Sequence, residues 1–315
     1  MKGVSHRAQV WVALWIVYIV WGSTYLGIEL AGETIPGIFG AGVRFTLVGL
    51  IVFGVVVWRR GLGALRVRRA ELAAAALVGL LLPGANAVLF VTEQHVPIGL
   101  TSLIIASVPL WVLLLRLAVG ERPDRIASLG LLVGFAGIAV LVRPGGGSGS
   151  LGYLLLTVVA AISWAVGSFL SPRMPVPRDA MVATAYETFV GGLVLTVIGL
   201  ASTSPSDLDP SRWSTRSILG LVYLILVGSV VGYTAYAWLL GNAPLGQVST
   251  YAYVNPVVAI ALGVLVLDEK LTLRVVLGAL LILAAVAIVV RRESEPREVV
   301  RPDGHAAELA PARRS

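Results

Sequence analysis

Ten long apolar segments, separated by short connections, constrain the fold of this chain more than any other feature. The hydrocarbon core of a bilayer is about 30 Å thick, so a helix needs about 20 apolar residues to cross it. Only 13% of the 315 residues are charged, against about 25% in soluble domains. The pattern predicts an all-α polytopic membrane protein. We expect its spans at 9–28, 36–58, 72–92, 98–118, 126–142, 151–170, 180–201, 218–240, 246–267 and 272–290.

The composition also excludes several classes of site. The chain has no cysteine, which rules out disulfides, thiolate catalysis and cysteine-bound metals. The three histidines, His6, His95 and His305, are scattered along the sequence, and we expect neither a metal nor a cofactor. The net charge of +7 comes from arginines at the ends of the spans, where they set membrane orientation. We therefore expect the protein to be embedded in the lipid bilayer and to bind no nucleic acid.

The distribution of basic residues predicts how the chain lies in the membrane. Lys and Arg accumulate in the loops of the cytoplasmic side. With a cytoplasmic N-terminus, most of the 24 basic residues fall in cytoplasmic segments, and an even number of spans returns the C-terminus to the same side. We expect a multi-pass protein of the inner (plasma) membrane with both termini in the cytoplasm. The charged segment 291–315 is expected to be a disordered tail.

The two halves of the chain repeat one another. Residues 97–111 read PIGLTSLIIASVPLW and residues 244–258 read PLGQVSTYAYVNPVV, so that two prolines, a glycine and a serine recur at one offset. After a one-residue shift, Glu121 matches Glu269. Five spans per copy is an odd number, so the second copy enters the membrane with opposite polarity, as in many secondary transporters. We expect two five-helix repeats, at 9–142 and 151–290.

The runs WGSTYLGIEL…ETIPGIFGAGVRF at 21–45 and GYTAYAWLLGNAPLGQVSTYAYVNPVVAIALGVLVLDEKLT at 232–272 resemble the EamA-type members of the drug/metabolite transporter superfamily. The resemblance extends over all ten spans. It implies a ten-helix inverted repeat, alternating access, and export of amino acids or related metabolites and drugs.

Prolines interrupt the repeated segment in both halves. Pro109 and Pro256 lie near the middle of their spans, where each removes a backbone donor and frees the carbonyl four residues earlier. In hydrocarbon such a carbonyl must find a partner or face a wet cavity. Alternatively, each proline forms a packing kink, and neighbouring helices provide the partner for the free carbonyl. Because polar residues surround both prolines, we predict that they are hinges in helices that line the pathway.

Aromatic and polar side chains share single faces of several spans. Core packing explains any one such face. Together they predict a chamber near the membrane midplane, in which ring faces stack on a small-molecule substrate and polar groups orient it. The residues expected to line this chamber are Trp21, Tyr25, Asn86, Phe90, Ser107, Trp111, Trp164, Tyr233, Tyr236, Tyr251 and Asn255.

Two charged residues lie well inside their spans. An isolated charge at the centre of a membrane helix costs about 2.5–3.5 kcal/mol, and Arg44 and Glu187 occupy equivalent positions of the two repeats. We expect them to form an ion pair or to couple transport to an ion such as the proton. The alternative is that each makes separate contacts to backbone carbonyls or water. Glu187 or Glu93 is a candidate for proton coupling, because a carboxyl group in a dry site can hold a proton near neutral pH. Glu29 and Glu33 are expected in an external loop.

These observations predict a secondary transporter that exports amino acids or related aromatic metabolites by alternating access. Efflux of multiple drugs or cationic amines is the alternative within transport. A membrane-embedded enzyme would need clustered catalytic groups, and His95 beside Glu93 is the nearest approach to such a cluster. We therefore expect no enzymatic activity.

Overall fold

The computed structural model describes residues 5–121, 125–142 and 150–294, and within them the chain is helical, without strands. The helices are α1 (His6–Gly32), α2 (Gly37–Arg60), α3 (Arg69–Thr92), α4 (Ile98–Ile105), α5 (Val108–Ala118), α6 (Arg125–Val142), α7 (Leu151–Leu170), α8 (Ala180–Ser202), α9 (Thr215–Tyr223), α10 (Gly232–Asn242), α11 (Leu245–Val248), α12 (Tyr251–Val266) and α13 (Leu273–Ser294).

The helices match the ten predicted spans. In the described ranges, nine helical segments are long and apolar enough to cross a membrane, and the shorter apolar helix α12 lies at the ninth predicted span. Large apolar side chains such as Trp58, which is 81% exposed, cover the outer surface, where lipid takes the place of water. The prediction of an all-α polytopic membrane protein is confirmed.

Two boundaries differ from the prediction by more than three residues. Helix α1 continues to Gly32, so Glu29 lies within a helix and is half-buried, and its expected place in a loop is wrong. Helix α13 continues to Ser294, so the first residues of the expected disordered tail are helical. The remainder of that tail lies outside the described residues.

The fourth and ninth spans are each broken into two helices. In the fourth span, α4 ends at Ile105 and α5 begins at Val108, with Pro109 in the first turn of α5. A proline is tolerated there because a first-turn N–H has no partner within the helix. In the ninth span the break falls between α11 and α12, whereas Pro256 lies inside α12. Only Pro109 therefore coincides with an interruption of its helix.

The eighth span contains a π-helical segment that the sequence did not predict. Residues Leu224–Val231 join α9 to α10 in this wider conformation. The hydroxyl of Ser229 donates to the carbonyl of Leu224 at 3.0 Å, five residues earlier. π-Helical segments are rare and, where they interrupt α-helices, frequently lie at functional sites.

The two halves of the chain pack closely against each other. Helix α2 lies antiparallel to α8, α6 packs on α13, α3 packs on α7 and α8, and α1 packs on α9, α10 and α12. The α2–α8 contact is so close that a Cβ at Gly49 would lie 2.6 Å from the backbone nitrogen of Phe189. Small residues allow membrane helices to approach in this way.

We predict that Gly49→Leu destabilises the protein by about 1–3 kcal/mol, because the new side chain would overpack a contact made by backbone. The measurement is thermal unfolding of the purified protein in detergent. Gly54→Leu is the matched control, since a Cβ at Gly54, on the same helix, would meet no neighbouring atom within 4 Å. Equal melting temperatures of the two variants would contradict the close α2–α8 contact.

Candidate functional site

Four aromatic side chains from three spans meet between the two halves. The Trp21 ring of α1 lies 5.7 Å from Tyr233 and 5.0 Å from Tyr236, both of α10, and 5.1 Å from Tyr251 of α12, measured between ring centroids. Tyr236 and Tyr251 are 5.7 Å apart with nearly perpendicular rings. All four are half-buried. We call them the aromatic cluster; each member was among the residues predicted to line a chamber.

Polar groups of α1 and α12 hold the helices beside the aromatic cluster. The Tyr18 hydroxyl hydrogen-bonds the Thr250 hydroxyl at the break between α11 and α12. The buried Asn255 amide, in the orientation that satisfies both of its polar atoms, donates to the backbone carbonyls of Tyr18 and Tyr251 at 3.3 Å. Asn255 therefore joins α1 to α12 directly.

The other residues predicted to line the chamber are packed elsewhere. Tyr25 and Phe90 belong to a core cluster formed mainly by α1 and α3, in which Phe90 is fully buried, and Trp164 of α7 packs against this cluster. Asn86 is buried and donates to the carbonyl of Leu82 in its own helix.

Ser107 and Trp111 form a separate group. The Trp111 indole N–H donates to the Ser107 hydroxyl at 3.1 Å, and its ring packs on Phe135 of α6 at 4.7 Å. Ser107 is fully buried. In this conformation Phe90 and Ser107 therefore reach no open cavity.

Arg44 is buried in α2 with most of its hydrogen-bonding capacity unused. It is 5% exposed, and its Nη2 donates to the Ser229 hydroxyl of the π segment at 3.5 Å. Its Nε and Nη1 have no hydrogen-bond partner among the described residues. A buried donor left unsatisfied costs about 1–3 kcal/mol, and more when it carries charge.

The expected Arg44–Glu187 ion pair is not formed in this structure. Along the antiparallel α2–α8 contact, Gly42 lies at Thr196 and Gly49 at Phe189, so Glu187 lies at the level of Ile51. Arg44 and Ile51 are seven residues apart in one helix, which is about 10 Å at 1.5 Å per residue. At this separation along the helix axis the two charges are too far apart to pair.

Glu93, which directly follows α3, is a buried carboxyl group without a partner. It is 3% exposed, and neither of its oxygens accepts a hydrogen bond within the described part of the chain. Burial raises the pKa of Glu93 well above its ordinary value; the Glu29 charge raises it further, and Arg44 opposes the shift. Glu29 itself accepts a hydrogen bond from Gln94 at 3.2 Å. Such an environment favours the protonated form of Glu93.

Glu269 caps a helix of the opposite half. Its carboxylate accepts from the backbone N–H groups of Ile98 at 2.5 Å and Gly99 at 3.2 Å, at the start of α4. A cavity of about 370 Å³ opens beside this cap, away from the aromatic cluster, and is lined in part by Leu141 and Arg274.

The repeat counterpart of Glu269 has different partners. The Glu121 carboxylate accepts from Arg116 Nε at 2.5 Å and from Arg173 at 2.7 Å. The sequence repeat matched the two glutamates but gave no indication of either set of contacts.

Comparisons with known proteins agree with this architecture. The model of the EamA-like transporter family matches the chain twice, at residues 10–143 and 151–291. The uncharacterized inner membrane transporter YedA of Escherichia coli (strain K12) is 35% identical over 254 residues, 80% of each chain. A probable amino-acid metabolite efflux pump of the same organism is 29% identical over 291 residues, 87% of this chain and 92% of that protein.

A solved crystal structure of another protein shares the fold. It superimposes with a TM-score of 0.61 over 89% of this chain and 96% of that one, at 19% sequence identity. The double family match and the similarity to YedA cover both halves of the helical architecture described above. The chain is a multi-pass membrane transporter and belongs to the EamA-like transporter family.

Proposed function

We propose that this chain is a secondary transporter that exports amino acids or related small aromatic metabolites by alternating access. The aromatic cluster carries the proposal, because it lies where α1, α10 and α12 meet and joins spans from both halves. Small-molecule pockets commonly combine such rings with a few oriented polar groups. The name of one relative, a probable amino-acid metabolite efflux pump, agrees with this substrate class.

The helix contacts support two inverted five-helix units, at 9–142 and 151–290. If the first five spans correspond to the last five, each contact between the halves should recur with the roles exchanged. The contact of α1 with α9 and α10 has its counterpart in that of α7 with α3, and the contact of α3 with α8 has its counterpart in that of the π segment with α2. The α2–α8 and α6–α13 contacts are their own counterparts. With the bias of basic residues, this arrangement favours cytoplasmic termini.

Glu93 is our candidate for proton coupling. A carboxyl group that is protonated in the empty site can release the proton and bind the amine of an amino acid instead. The proton and the amine then compete for the same carboxyl group. Competition of this kind links proton entry to amine export. The groups that act on Glu93 electrostatically are Glu29 and Tyr25 of α1, Arg44 of α2, and Glu269 after α12.

The Glu269 cap is our candidate for the external gate. In the proposed orientation it ties the start of α4 to the loop between α12 and α13 at the outer end of the molecule. Breaking its two hydrogen bonds would free α4 to move away from α12 as the outer side opens. The contacts of Glu121 with Arg116 and Arg173 lie at the inner end.

We predict that Trp21→Ala lowers the initial rate of amino-acid export from proteoliposomes at least about tenfold, because loss of a central aromatic contact commonly costs more than 1.4 kcal/mol of binding. Trp58→Ala is the control, since that ring is 81% exposed. Equal losses in the two variants would argue against the aromatic cluster as the binding site.

We predict that the apparent affinity for the exported amino acid improves about tenfold per pH unit as the pH rises towards the pKa of Glu93, because fewer sites then hold the competing proton. Above that pKa the dependence should level off. In Glu93→Gln the affinity should be independent of pH. Glu71→Gln, at the other end of α3 where Glu71 pairs with Arg68, should keep the wild-type profile. A pH-dependent profile that persists in Glu93→Gln would exclude Glu93 as the coupling group.

We predict that Glu269→Ala shifts the protein towards the outward-open form by about fivefold, the effect of losing a helix cap worth about 1 kcal/mol. Because the chain lacks cysteine, Leu100→Cys in α4 gives one labelling site, and an impermeant maleimide added outside should react faster when the cap is removed. Glu33→Ala, which removes an ion pair to Arg216, is the control. Unchanged labelling in Glu269→Ala would rule out this gate.

A further inference from the structure

We infer that Arg44 binds the carboxylate of the transported solute, so that the substrate is an acid with an apolar or aromatic body rather than a simple cationic amine. This inference rests on the proposed transport function and assigns its substrate class to one residue.

The unused donors of Arg44 are the first observation. Nε and Nη1 have no hydrogen-bond partner among the described residues, and the Nη2 contact to Ser229 is long at 3.5 Å. A guanidinium group can hold a carboxylate along either of two edges, through Nε with Nη2 or through Nη1 with Nη2. Each edge includes one donor that the protein leaves unused. Arg44 can therefore accept a carboxylate without giving up a strong contact.

The charge of Arg44 is the second observation. Within the described ranges no carboxylate is hydrogen-bonded to it, and Glu187 lies about 10 Å along the helix axis. Glu93 acts on Arg44 electrostatically, but burial raises the pKa of Glu93 and favours its neutral form. A positive charge in a buried site, without a bonded counter-charge, attracts an anion and repels a cation.

The position of Arg44 relative to the aromatic cluster is the third observation. Its Nη2 lies beside Gly228 and Ser229 of the π segment. Tyr233, just beyond this segment, acts on Arg44 electrostatically and also contacts Trp21. A solute whose carboxylate binds Arg44 can thus extend its apolar body along Tyr233 to the remaining rings. The Phe45 ring, 4.9 Å from the Arg44 guanidinium carbon, flanks the charged end.

Matched pairs of an acid and its decarboxylated amine test this assignment. The probes are phenylalanine, tryptophan and leucine, with phenethylamine, tryptamine and isopentylamine as their partners. Each is measured for binding to purified protein in detergent and for exchange in proteoliposomes. In the wild type we expect each acid to bind at least tenfold more tightly than its amine. Arg44→Gln should lose at least tenfold for the acids and leave the amines unchanged or improved.

Two further variants separate charge from folding. Arg59→Gln, an exposed arginine at the end of the same helix, should retain the preference for acids. Arg44→Lys keeps the charge and should retain that preference at reduced affinity. If Arg44→Gln does not fold, the wild-type comparison of acids with amines and the Arg44→Lys result still decide the matter.

Two results would overturn the inference: amines that bind as tightly as their acids in the wild type, or acid affinity that survives in Arg44→Gln. Exchange of amines but not of acids would refute the carboxylate site and leave the transport function standing. Exchange of neither series would contradict the proposed function itself.

Discussion

The structure depends on one physical constraint: hydrocarbon offers no partner for a polar backbone group. Long helices satisfy it, and the three interrupted spans satisfy it with hydroxyl groups. Ser107 donates to the Ile104 carbonyl at the α4–α5 break, Thr250 to the Gln247 carbonyl at the α11–α12 break, and Ser229 to the Leu224 carbonyl of the π segment. Two of these hydroxyls have a second role, since Ser229 accepts from Arg44 and Thr250 bonds Tyr18. The π segment and the α11–α12 break therefore place polar groups between the two halves.

Arg44 and Glu93 are exceptions to this pattern. The fold finds a partner for the carbonyls at its breaks, yet it leaves two donors of one buried cation and both oxygens of one buried acid without hydrogen bonds among the described residues. Charged groups at membrane depth are costly and are commonly retained for function. In the function proposed here, Arg44 binds the carboxylate of the solute and Glu93 exchanges its proton for the amine. An amino acid carries both of these groups.

Much of this organisation could be predicted from the sequence. The lengths of apolar segments predicted the spans. Aromatic spacing singled out Trp21, Tyr233 and Tyr236, and the polar residues around Pro256 singled out Tyr251. The Arg44–Glu187 pair was wrong for this conformation because repeat equivalence fixes which residues correspond but not the register of the α2–α8 contact. Phe90 shows a related difficulty, since an aromatic residue on a polar face can pack into the core. The π segment and the Glu269 cap depend on tertiary contacts that no local pattern encodes.

The most direct test is counterflow in proteoliposomes that contain the wild-type protein. Vesicles are filled with a high concentration of unlabelled amino acid and diluted into a trace of the same labelled compound. An alternating-access carrier should accumulate label transiently above its external concentration, because each outward passage of unlabelled solute returns the site for an inward one. If label never exceeds that in protein-free vesicles for any acid or amine of the matched pairs, the account of this chain as a carrier of such solutes is contradicted.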